Sequence, residues 1–150
     1  MSFNQTRDIL DHAREFHRRL IRFYDGLRGL TESEETARLL EELIARERQL
    51  EARLADYEER VSENTLDTFF KYVLATTEQE FRDYFIPDEV DSEFVIAAAR
   101  YFDERLSRFY ESMAAKALSV QVRDVLENLR EMEQREQLTL SKMELEMKEG

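Results

Sequence analysis

Between Gly29 and Gly150 the chain contains no glycine and a single proline, Pro87, and the one further glycine is Gly26. So few breakers leave few places to turn, and 150 residues must then form long helices joined by few loops. The absence of cysteine removes disulfides, thiolate zinc sites, thiol catalysis and iron–sulfur ligation in one step. With 34 acidic against 22 basic residues the net charge is −12, a surface that repels nucleic-acid phosphates. The N-terminal MSFNQTRDIL lacks a basic region followed by an apolar run, and no stretch approaches the roughly 20 apolar residues of a membrane span. The expectation is a cytoplasmic protein with neither nucleic-acid nor membrane partners. At 42% hydrophobic residues it is too apolar to stay disordered.

Four segments carry helical periodicity. The first spans about 5–28 and stops at the glycine pair; Thr31 and Glu34 offer a capping box for the second, about 33–60. A third begins after Pro87 with Asp91 or Ser92 as N-cap and runs to about 117, and Ser119 caps a fourth that carries the acidic tail to about 147. The intervening stretch, about 61–90, is too long for a turn and too aromatic for a solvated linker. Leu66, Phe69, Phe70, Val73 and Leu74 fall in it at helical spacing, which predicts one or two short helices. The expected architecture is all-α: one domain over 1–150, a four-helix bundle of two antiparallel hairpins (about 5–60 and 91–147) joined by a long crossover that sets helices two and three parallel.

Each long helix has a stripe stepping by three and four residues. These are Leu10, Ala13, His17, Leu20, Tyr24, Leu27; then Leu40, Leu43, Glu47, Leu50, Leu54, Tyr57. The second pair gives Ile96, Ala99, Asp103, Leu106, Tyr110, Met113, and Val122, Leu126, Leu129, Glu133, Glu136, Leu140, Met143, Met147. Every stripe is apolar except near its middle, where His17, Glu47, Asp103, Glu133 and Glu136 should point inward at one level. One such break reads as a register-fixing polar residue. Four buried carboxylates at several kcal/mol each would rival the whole ~5–15 kcal/mol stability of a domain, so metal, protonation, an inward arginine or water must neutralise them. Two divalent cations would balance four ionised carboxylates.

The polar breaks are related by an internal repeat. Under a shift of 86 residues, Ala13, Arg14, Phe16, Arg19, Leu20, Arg22, Phe23 and Tyr24 meet identical residues at 99, 100, 102, 105, 106, 108, 109 and 110. Leu40, Glu41, Leu43 and Glu47 meet theirs at 126, 127, 129 and 133, so one shift spans both helices and the loop between them. His17 then corresponds to Asp103, Glu47 to Glu133 and Leu50 to Glu136, as expected of a duplicated helical hairpin.

With these residues the chain resembles the ferritin-like superfamily, closest to its rubrerythrin-type members, over nearly its whole length. Those proteins hold a dimetal centre between helices that supply Glu, Glu-x-x-His, Glu and Glu-x-x-His. Their hairpin pattern is an acidic residue, a Tyr seven further on, and a Glu-x-x-His. It is matched in spacing by His17, Tyr24, Glu47 and Leu50, and by Asp103, Tyr110, Glu133 and Glu136. The resemblance implies Glu47 and Glu133 as bridging ligands and Asp103, Glu136 and His17 as terminal ones, with Tyr24 and Tyr110 beside the cofactor. Asp103 is a shortened carboxylate, Glu136 and Leu50 stand where His is usual, and His17 where Glu is. The position served by Asp103, Glu136 and the bridges keeps an all-oxygen set suited to Mn²⁺, Mg²⁺ or Fe²⁺. The other keeps only His17 and the bridges, a degenerate version of a diiron site.

The implied cofactor is iron or manganese, one or two ions, and the implied chemistry is metal handling or metal-dependent oxidation toward oxygen, peroxide or iron. No rubredoxin-like Cys-rich tail follows the bundle. The alternative is a metal-free structural or adaptor bundle, homodimeric or bound to another protein. On composition alone Tyr24 and Tyr110 are ordinary core aromatics, and Arg14, Arg18 and Arg22 form a solvated stripe one turn apart that pairs with nearby acids.

Overall fold

A computed structural model describes residues 3–67, 69–71 and 77–149 of the chain. In order it contains β1 (Phe3–Gln5), α1 (Thr6–Arg28), α2 (Glu34–Arg60), α3 (Glu63–Leu66), β2 (Phe69–Lys71), α4 (Thr77–Arg82), α5 (Ser92–Lys116) and α6 (Val120–Glu149). The backbone divides into two compact units, residues 1–95 and 96–150. Among the described residues no helix is long and apolar enough to cross a membrane.

The four long helices start and stop close to where sequence punctuation places them. At the head of α1 the Asp8 carboxylate accepts the Gln5 N–H at 2.9 Å, supplying an acceptor to one of the orphan donors there. Gly29 ends α1 in a right-handed conformation, and the Leu30 and Thr31 N–H groups both return to the Leu27 carbonyl. The cap of α2 differs from the expectation. Ser33, not Thr31, is the N-cap, its hydroxyl accepting the Thr36 N–H at 3.2 Å. Thr31 instead donates its hydroxyl to the Val90 carbonyl at 2.8 Å, so the hairpin loop is tied to the segment that leads into α5. Asp91 accepts the Phe94 N–H at 2.8 Å and Ser119 the Val122 N–H at 3.4 Å, the caps expected for α5 and α6.

In the first unit α1 and α2 form an antiparallel hairpin. Arg28 reaches Glu41 at 3.8 Å near the loop, Arg18 reaches Glu51 at 2.7 Å, and Arg14 reaches Glu58 at 3.4 Å farther away. The arginine stripe of α1 thus meets acids, Arg22 pairing with Glu15 at 3.3 Å. Beneath it the apolar face of α1 is wider than the predicted stripe, with Ile9, Phe16 and Phe23 also buried. The extra aromatic flank receives α4: the Phe81 ring lies 5.4 Å from Phe16 and 5.8 Å from Phe23, and the Arg19 guanidinium stands 5.0 Å over it. Arg7 pins α3 to α1 through Glu63 at 2.9 Å and Asp67 at 3.0 Å.

The crossover does contain two short helices, α3 and α4, but Phe69 and Phe70 are not in either. They lie in β2, which pairs antiparallel with β1, Phe3 opposite Lys71 and Gln5 opposite Phe69. Val73 and Leu74 fall outside the described residues.

The second unit is the α5–α6 hairpin. Arg100 near the start of α5 meets Glu144 near the end of α6 at 2.9 Å, and Arg123 at the start of α6 donates to the Ala117 carbonyl at 3.2 Å. The predicted α5 stripe is buried throughout, and on α6 Val122, Leu126, Leu129, Leu140 and Met143 are buried while Met147 is half-buried.

Candidate functional site

A step of three and four residues keeps a side chain on one helical face, so a polar residue inside an apolar stripe is carried inward with its neighbours. On α1, Leu10, Ala13, Leu20, Tyr24 and Leu27 are buried, and His17 among them is only 1% exposed. On α2, Glu47 sits at 5% between buried Leu43 and Leu50. On α5 Asp103 stands at 6% between Ala99 and Leu106, and on α6 Glu133 at 2% between Leu129 and Leu140. Glu136, one turn past Glu133, is half-buried. Each long helix therefore buries one ionisable residue at mid-length.

In the first hairpin the two meet. The His17 imidazole Nδ1 and the Glu47 Oε2 oxygen share a hydrogen bond enclosed by the core. Burying a carboxylate is costly unless it is hydrogen-bonded and compensated, and an imidazole donor at this position supplies that compensation from within the hairpin. In the second hairpin the corresponding positions are Asp103 and Glu133. Both are carboxyl groups, so the register that offers a donor and an acceptor in α1–α2 offers two acidic side chains in α5–α6.

The other predicted residues divide by burial. Tyr24 and Tyr110 are among the largest fully buried side chains. Leu50, where an imidazole would be usual in the resembled family, is buried. Arg14 and Arg18 are engaged by Glu58 and Glu51, and Arg46 is half-buried beside Glu47 in sequence. Thr36, a buried polar residue outside the predicted stripes, shares a 2.8 Å hydrogen bond with Ser92. Its only sequence signal is a helix-start hydroxyl, common enough to pass unnoticed.

Carboxylate-rich donors suit a hard divalent cation, and one imidazole adds a nitrogen donor suited to iron or manganese. The donor types present are thus compatible with such an ion, although the number of imidazoles is below that of the resembled site. Among the described residues no group of three or more His, Asp and Glu side chains is gathered tightly enough to form a ready metal cage.

No family model matches the chain, and no curated protein matches it in sequence. Its backbone is similar to a crystal structure from Thermotoga maritima of a protein described as ferritin-like and diiron-carboxylate, with a TM-score of 0.60 at 16% identity. The match covers 98% of this chain and 99% of that one, so it takes in both hairpins and the crossover. At that identity the likeness speaks for the backbone alone. The chain has an all-α, ferritin-like fold.

Proposed function

We propose that this protein is a ferritin-like metal-binding protein of rubrerythrin type with an altered carboxylate site. Glu47, Asp103, Glu133, Glu136 and His17 would hold one iron or manganese ion, or two of unequal affinity. The observation that supports the reading is the burial of an ionisable residue at mid-length in all four long helices, His17, Glu47, Asp103 and Glu133. Buried carboxyl groups call for a compensating partner, and a cation can supply one. Because no ligand cage stands ready among the described residues, binding would draw the ligands together, and loaded and metal-free protein should differ in thermal stability.

When bound and reduced, iron or manganese supplies electrons to oxygen or peroxide, the chemistry proposed here alongside iron handling. The chain's own part is to exclude water and to set the ion's charge. Buried Leu20, Leu50, Leu106 and Leu129 flank the polar residues and keep solvent out. Tyr24 and Tyr110 place phenol groups two turns from His17 and Asp103 along their helices. The proposed setting is a cytoplasmic homodimer.

The test is metal content per chain by mass spectrometry, after expression with iron or manganese supplied and purification without chelator or affinity-tag metal. Near-stoichiometric metal in the wild type that disappears in Glu133→Ala supports the site. No metal in either after reconstitution overturns it. A second reading, a metal-free bundle working through protein contacts, draws on Leu138 and Leu145, exposed seven residues apart on α6. It predicts a reproducible protein partner lost on Leu138→Glu.

A further inference from the structure

The loop between α1 and α2 and the segment leading into α5 enclose a cleft of about 340 Å³, with Leu30, Thr31 and Glu32 on one wall and Asp88, Glu89 and Val90 on the other. All of it lies within the first unit. Two hydrogen bonds tie the walls together, the Thr31 hydroxyl to the Val90 carbonyl and Thr36 with Ser92, each 2.8 Å long. The cleft is therefore set before any partner arrives.

Its surroundings are apolar and acidic at once. Leu30 is 55% exposed, and just ahead of Pro87 and Asp88 the chain leaves Phe85 80% and Ile86 39% exposed. Among the described residues no lysine or arginine lines the cleft. Elsewhere in this unit arginines meet acids such as Glu51 and Glu58, but among the described residues none meets Glu32, Asp88 or Glu89. The starts of α2 and α5 bring about half a positive charge each, which the first-turn acids Glu34, Glu35 and Glu93 already offset. Three uncompensated carboxylates beside exposed apolar side chains remain.

We propose that this cleft is a docking site for a basic, hydrophobic segment of another protein. Lysine or arginine groups of the segment face Glu32, Asp88 and Glu89, while its apolar side chains cover Leu30 and the Phe85–Ile86 step. A second copy of the chain is a poor occupant, since each copy carries a net charge of −12. The site draws on the first unit alone and stands whether or not the protein binds metal.

The experiment is a fluorescence-anisotropy titration of a short labelled peptide alternating lysine and leucine, at low and at high salt, with helical content and thermal unfolding recorded for each protein. One variant combines Glu32→Gln, Asp88→Asn and Glu89→Gln, and a second combines Leu30→Ser and Phe85→Ser. Asp91 is kept, because it caps α5. The control combines Asp124→Asn, Glu131→Gln and Glu146→Gln, which removes the same charge from exposed positions on α6. Docking predicts saturable binding that the first variant weakens at least about tenfold, the second measurably and the control less than about twofold. Equal weakening by both acid variants overturns it in favour of the chain's general field. Full binding by the second variant, or by a peptide with serine for leucine, overturns it in favour of charge alone. A dimer in light scattering that the first two variants abolish assigns the face to a second copy and overturns it too, as does absence of binding by the wild type.

Discussion

Arg14 on α1 meets Glu58 on α2 at 3.4 Å, and yet the Glu58 carboxyl is held above its ordinary range, because burial and then the nearby Asp11 charge outweigh the guanidinium. A carboxyl that is harder to ionise in the fold than in the unfolded chain binds more protons when folded. Its stabilising contribution is complete below the unfolded value of about 4.5 and is lost as pH rises through the higher folded value. Glu58→Gln removes that dependence. The stability of the variant relative to wild type should therefore climb between pH 4.5 and pH 7, read from urea unfolding at several pH values; a flat difference would mean that burial does not control Glu58.

His12 titrates with the opposite sign. It is half-buried on α1, and burial lowers its pKa despite the opposing charges of Glu80 and Glu15. The folded protein then binds fewer protons than the unfolded one. The stability from neutral His12 is present above the unfolded value of about 6.5 and is lost as pH falls through the lower folded value. His12→Gln should flatten the acid side of the stability profile below pH 6.5, measured by thermal unfolding, while leaving its slope above pH 7.5 unchanged.

Phe81 anchors α4 to the first hairpin through two phenyl rings and one guanidinium. Truncating such a buried ring costs about 3–5 kcal/mol by lost transfer energy and the cavity left behind. We expect Phe81→Ala to lower stability by that order and to expose the amides of Thr77–Arg82 to hydrogen exchange before those of α1. Equal protection of α4 in variant and wild type would show that other contacts hold it.

The cap assignment is open to a direct check. Ser33→Ala should cost about 1 kcal/mol of unfolding free energy, the usual value for a lost N-cap acceptor. Thr31→Val, which keeps the shape but removes the hydroxyl, should leave the start of α2 intact in hydrogen exchange while loosening the segment around Val90. An exchange signature at Thr36 in Thr31→Val would restore Thr31 as the cap.

The limits of the long helices were legible because their punctuation is local: Gly29, Asp91 and Ser119 act on residues within one turn. The inward set was legible for the same reason, since three-and-four spacing fixes a face without reference to the partner. Phe69 and Phe70 were misread because two adjacent aromatics fit a helix stripe or a short strand equally well, and their pairing with Gln5 and Asn4 depends on residues more than sixty positions away. Thr31 and Ser33 compete for one cap within three residues, and tertiary demand at Val90 decides between them. His17 and Glu47 were each placed in the polar layer from sequence. That they bond to one another follows only once the hairpin is folded, when two residues nearly equidistant from the Gly29–Ser33 loop come level. Ligand chemistry was the least legible part, since the spacing of a site survives substitutions that change what it binds.

The ladder between β1 and β2 bears on how the chain reaches its native state. It clasps the polypeptide ahead of α1 to a stretch beyond α2, enclosing the entire first hairpin within one loop of chain. Helical turns close over neighbouring residues in well under a millisecond, whereas this clasp must wait until two distant strands meet. It is thus set to fasten late, over a hairpin that has already formed, and anything fused immediately before Phe3 would burden that last step.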